Sequence, residues 1–129
     1  MGRSAEAIAV LEQLRAEGKA TPQALQELGW AYLEADRGEE ALAAYEELDR
    51  RNPEGLRWER LDYFRGLALG KAGREGEGRA ALGDYYRQAG DGAEALRNYR
   101  EALRLLPAGP LKDRVEQAAA ELAKERKGE

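Results

Sequence analysis

Residues 22–55 read PQALQELGWAYLEADRGEEALAAYEELDRRNPEG, and the spacing within them decides the fold. Leu25, Leu28 and Tyr32 fall three and four residues apart, and so do Ala41, Tyr45 and Leu48. Each set lines one side of an α-helix, which predicts helices over 22–35 and 38–51. So short a connection makes the two pack antiparallel. Gly29 and Ala41 are small where the helices must approach, while Tyr32 and Tyr45 are large enough to fill space between neighbouring pairs. Pro53 ends the second helix because proline donates no backbone hydrogen bond.

The same pattern occurs on both sides of this stretch. Ala5-Glu-Ala-Ile-Ala-Val-Leu11 becomes Glu39-Glu-Ala-Leu-Ala-Ala-Tyr45 at an offset of 34 residues. A third copy, Ala93-Glu-Ala-Leu-Arg-Asn-Tyr99, is followed by Ala102 and Pro107 as Tyr45 is followed by Leu48 and Pro53. A fixed period of this length marks a stacked repeat architecture.

At these residues the chain resembles the tetratricopeptide repeat family, whose pattern W-x2-L-G-x2-Y, A-x3-F, P has a period of about 34 residues. Residues 22–55 supply Leu25, Leu28, Gly29, Tyr32, Ala41, Tyr45, Leu48 and Pro53 at matching spacings. Residues 76–109 supply Leu82, Gly83, Tyr86, Ala95, Tyr99, Ala102 and Pro107, with Gly90-Asp91 in the turn. The expected fold is all-α: an antiparallel helix-pair solenoid in one domain over 1–129. Its seven helices are placed near 4–17, 22–35, 38–51, 55–72, 75–89, 92–106 and 110–126.

The middle departs from the pattern. Ala41 and Ala95 are 54 residues apart, where two periods need about 68. Residues 56–90 form a degenerate repeat through Gly66, Leu69, Gly78 and Leu82. The repeat at 76–109 overlaps it, so the helix near 75–89 belongs to both. One helix cannot hold both places in a regular superhelix, and a local change of packing is expected there. Residues 110–127 carry Leu111, Val115, Ala118 and Leu122 on one stripe and read as a capping helix with a polar outer face. Residues 4–21 read as a half repeat without a partner helix. Its apolar Ile8, Val10, Leu11 and Leu14 cover more than one stripe, which predicts a self-association edge and a two-fold homodimer through residues 1–35.

Composition excludes much of catalysis. Ile, Val and Thr total four residues, against 24 Ala and 18 Leu, so a substantial sheet is not expected. With no Cys or His and one Ser, the usual zinc sites and Ser-His or Cys-His nucleophiles are ruled out. The net charge is −4 with the signs interspersed. Nucleic-acid and anionic-membrane partners, which select basic faces, are not expected. No stretch approaches the roughly 20 apolar residues of a membrane span, and the first residues do not read as a signal peptide. A cytoplasmic location is the expectation.

Short motifs that look chemical do not survive their context. Gly76-Glu-Gly78-Arg-Ala-Ala81 fits a dinucleotide fingerprint, but a helix precedes it where a strand is required. Gly66 to Ala72 is one residue short of a phosphate loop and has Ala in place of the magnesium-binding Ser or Thr. Glu39/Glu40 and Glu46/Glu47 read as solvated faces beside Arg50 and Arg51. The stripe Arg97, Arg100, Arg104 is interleaved with Glu94 and Glu101 and reads the same way. No catalytic residue, cofactor or metal is expected.

Binding remains. The resemblance implies that the first helix of each pair lines a concave groove for a protein or peptide segment. Matching positions give Gln23, Gln26, Glu27, Trp30, Leu33 and Glu34, then Arg60, Tyr63, Phe64, Leu67 and Lys71, then Asp84, Arg87 and Gln88. Trp30 stands out, because repeat packing does not demand an aromatic beside Gly29. Where some relatives clamp a terminal carboxylate with Lys and Asn, this chain has Gln26 and Trp30, so an internal segment or amphipathic helix suits it better. The expected role is a non-catalytic adaptor or scaffold. The alternative is a self-assembly module whose N-terminal edge and groove are covered by another copy.

Overall fold

The computed structural model describes residues 2–51 and 61–128, with side chains from residue 4. Described residues form seven α-helices and no strand: α1 (Gly2–Ala16), α2 (Pro22–Glu34), α3 (Gly38–Arg50), α4 (Leu61–Lys71), α5 (Glu75–Gln88), α6 (Gly92–Leu105) and α7 (Pro110–Lys127). Each helix packs on the next in chain order, and α2 also reaches α4. The fold is the all-α helical-repeat array expected from the sequence.

One turn geometry closes four of the helices. The amides of Lys19, Arg37, Arg74 and Asp91 donate to the carbonyls of Leu14, Tyr32, Leu69 and Tyr86, each five residues back, at 2.8–2.9 Å. In every case the preceding residue has positive φ: Gly18, Asp36, Gly73 and Gly90. This six-residue closure satisfies helix-end carbonyls and needs a left-handed residue, which explains three of the glycines. Two of the following helices are capped by side chains. The Thr21 hydroxyl accepts from the Ala24 amide and Asp91 Oδ1 from the Glu94 amide, both at 3.1 Å.

The apolar residues form two buried clusters. One runs from Ile8 through Leu25, Leu28, Tyr45 and Leu48 to Leu69; the other joins Ala80, Tyr99 and Val115 to Leu122. In both, a tyrosine ring lies over a glycine. A Cβ on Gly29 would fall 2.5 Å from the Tyr45 ring, and one on Gly83 would fall 2.5 Å from the Tyr99 ring. The small residue and the ring therefore set the approach of α2 to α3 and of α5 to α6.

Helix α5 packs on α4 and on α6 with separate faces. Gly78 and Leu82 lie against Gly66 of α4, so closely that a Cβ on Gly78 would meet the Gly66 carbonyl oxygen at 2.7 Å. Gly83, one residue beyond Leu82, faces α6. These two glycines bring α4 and α5 together between the two cores.

The phenols are tied into the stack. Tyr32 donates to Glu12 of α1 at 2.7 Å, and Tyr99 donates at 2.7 Å to Asp84, which also accepts from Arg114 of α7. Burial pushes Tyr32 up to about 12, helped by its bond to Glu12. Burial also raises Tyr45, and raises Tyr99 together with its bond to Asp84. In the unfolded chain a tyrosine ionises near pH 10. The stability these neutral phenols contribute is present below about pH 10 and is lost as pH rises through about 12. Thermal melts followed by circular dichroism should give a midpoint that falls from about pH 10 upward; one unchanged to about pH 11 would mean the phenols titrate freely.

Candidate partner-binding surface

The surface is built around Trp30. Leu28, Gly29, Tyr32 and Leu33 are buried, and the helical turn leaves Trp30 on the open side of α2, 47% exposed. Its indole meets Phe64 of α4 edge-on, with centroids 5.6 Å apart. Phe64 stacks on Tyr45 at 5.9 Å and touches Tyr63 at 5.6 Å. Tyr63 continues to Tyr85 at 5.4 Å, and Tyr85 to Tyr86 at 5.1 Å. Six rings thus connect α2, α3, α4 and α5. Edge and offset contacts of this kind hold rings rigidly, and a rigid half-exposed aromatic suits recognition.

Two hollows flank the indole. The first, about 400 Å³, is walled by Trp30, Leu33 and Glu34 of α2, Leu67 and Lys71 of α4, and Glu75, Arg79 and Leu82 of α5. Gly66, Gly70 and Gly78 form the rest of its lining and leave it open. The second, about 590 Å³, lies toward α1 and is lined by Ser4, Ala7, Leu11, Gln26, Glu27, Trp30, Ala31, Glu34, Tyr45 and Phe64.

Of the groove positions expected from the resemblance, Gln26, Glu27, Trp30, Leu33, Glu34, Phe64, Leu67 and Lys71 line these two hollows. Tyr63 joins through its rings, and Gln23 is exposed on α2 away from both hollows. Arg60 lies outside the described residues. Asp84 and Arg87 do not face the hollows. Asp84 holds Tyr99 and Arg114, and Arg87 reaches Glu121 and Glu125 of α7 at 3.4 and 3.5 Å. Gln88, one residue further, is exposed and lines neither hollow. Arg79 and Leu82, which the resemblance did not nominate, take the α5 wall instead, because α5 turns that face to α4. The signal for this was the glycine pair Gly66 and Gly78.

The four residues of the expected edge on α1 divide. Ile8 is buried in the first core, Leu11 and Leu14 are half-buried, and only Val10 is exposed, at 61%. The carboxylate pairs are engaged on the surface, with Glu40 bound to Arg37 and Glu47 to Arg15. Arg97 and Arg104 pair with Glu94 and Glu101 along α6. Among the described residues no group of three or more acidic side chains could hold a metal ion, and no helix is long and apolar enough to cross a membrane.

Comparison with known proteins agrees on the N-terminal half. Residues 1–61 match a family model described as tetratricopeptide repeat. No curated protein and no solved structure matches the chain. Residues 1–61 are thus similar to the tetratricopeptide repeat in sequence, and the described residues form an all-α array of helical repeats.

Proposed function

We propose that the chain is a non-catalytic interaction module that holds a segment of another protein against Trp30. Tetratricopeptide repeats generally mediate protein–protein interaction, and this reading places that role on one surface. The observation that carries it is the half-exposed Trp30 at the end of a continuous row of rings, with an open hollow on either side. Pockets of this size with apolar walls and a few polar groups suit a short helix or an extended peptide. Self-assembly through the α1 edge has less support, since only Val10 of its four residues is exposed.

Selection of peptides from a displayed library on the immobilised chain tests the reading. The selected peptides should bind Trp30→Ala at least ~10-fold more weakly, the loss expected of an interface anchor. Because the indole is half exposed, the same substitution should change folding stability by no more than ~1 kcal/mol. Peptides that bind wild type and Trp30→Ala equally would move the binding surface elsewhere.

A further inference from the structure

The charges around Trp30 indicate the chemistry of the segment, an inference that rests on the groove being the docking surface. Glu27 and Glu34 stand three residues before and four after Trp30, which puts all three on one face of α2. Both carboxylates line the second hollow with Trp30, and Glu34 lines the first as well. Among the described residues neither has a hydrogen bond or ion pair. The cations on the opposite wall are already engaged: Lys71 Nζ lies 2.9 Å from Asp36 Oδ1, and Arg79 donates to Asn98 Oδ1 at 3.1 Å. The neutral Asn98 leaves the Arg79 charge standing, but Arg79 and Lys71 line only the first hollow. The second, which holds Glu27, Trp30 and Glu34, has no Lys or Arg in its lining, so the charge beside the indole there is negative. The surrounding field has the same sign, since residues 4–51 hold eleven acidic side chains against five basic ones.

We infer that the groove takes a segment carrying an arginine or lysine next to apolar side chains. The cation lies against the Trp30 indole between Glu27 and Glu34, where ring quadrupole and carboxylates attract it together. The apolar neighbours enter the hollow walled by Leu33, Leu67 and Leu82. An acidic segment would meet two unpaired carboxylates and be repelled.

Three acetylated, amidated peptides of one Leu/Ala-based amphipathic sequence provide the test. They differ only in whether two positions beside the leucines hold Arg, Gln or Glu. The probe is the Trp30 indole N–H resonance of the full chain, assigned with Trp30→Phe and titrated at low salt. The Arg peptide should bind about tenfold more tightly than the Gln peptide, and the Glu peptide most weakly. Glu27→Gln with Glu34→Gln should abolish the preference for Arg, so that the Arg and Gln peptides bind that variant equally. Glu27→Lys with Glu34→Lys should transfer the preference to the Glu peptide. Equal binding of the three peptides at Trp30 would overturn the basic segment and leave the groove standing. So would an Arg preference that survives both double variants. Failure of every peptide to move the Trp30 resonance would overturn the segment and the groove together.

Discussion

Tyr45→Ala is expected to cost the fold ~3–5 kcal/mol, the range for truncating a fully buried aromatic side chain. Tyr45 is 1% exposed. Its ring lies over Gly29 of α2, where a Cβ would come within 2.5 Å of it, and stacks on Phe64 of α4 at 5.9 Å. One side chain on α3 thus fixes both neighbours. Without the ring, Gly29 has no side chain with which to fill the gap, so the cavity cannot close locally. Because Tyr45 also lines the hollow below Trp30, Phe64 loses its stacking partner and the indole its support. The loss is a large part of the ~5–15 kcal/mol that holds a typical domain together. Tyr45→Phe keeps the ring and removes only a hydroxyl, and should cost less than ~1 kcal/mol. Urea titration followed by helical ellipticity separates the two variants. A Tyr45→Ala midpoint close to that of Tyr45→Phe would show that the ring does not pin the three helices.

That pair of residues is also where the sequence was most legible. Gly29 was read as a small residue where helices approach and Tyr45 as a ring that fills space. That the ring lies over this very glycine, as the Tyr99 ring lies over Gly83, is what the packed helices add. Spacing along a helix determines which residues share a face, so α2 could be read correctly down to the outward turn of Trp30. It does not determine which helix that face will meet. Asp84, Arg87 and Gln88 share a face of α5, but Asp84 and Arg87 reach α7, while Arg79 and Leu82 turn toward α4 and close the hollow. The choice depends on the contact of Gly66 with Gly78, a pairing between two helices that no single-helix pattern encodes. Ile8 illustrates the same limit on α1. Its spacing from Val10 puts the two on different sides, and only the packed array reveals that Ile8 is the one turned inward. The unpaired state of Glu27 and Glu34 was likewise invisible in sequence: Lys71, which shares the first hollow with Glu34, is held by Asp36 instead, across the α3–α4 junction.

At that junction Gly38→Ala is expected to destabilise the protein by ~1–3 kcal/mol, toward the upper end of the range for overpacking. A Cβ on Gly38 would stand 2.5 Å from the Ala72 nitrogen and the Lys71 carbonyl carbon. These are backbone atoms in the closing turn of α4, so no rotamer change can make room. The start of α3 and the end of α4 must separate by about 1 Å to restore ordinary contact. The added methyl recovers part of the cost, since Ala exceeds Gly in helix propensity by up to ~1 kcal/mol, but less at a first helical position than in an interior. Gly70→Ala is the control. It lies in the same helix as Lys71, yet nothing stands within 4 Å of its added Cβ. That variant should be neutral or gain ~0.5–1 kcal/mol from propensity alone. Opposite signs at Gly38 and Gly70 in urea titration would establish that close backbone approach, rather than glycine content, governs the middle of the array. Moving α4 also moves Phe64 and Leu67 against Trp30, so Gly38→Ala should weaken peptide binding although it replaces no groove residue. Equal stability of the two variants would show that α3 and α4 have the space to absorb a methyl group.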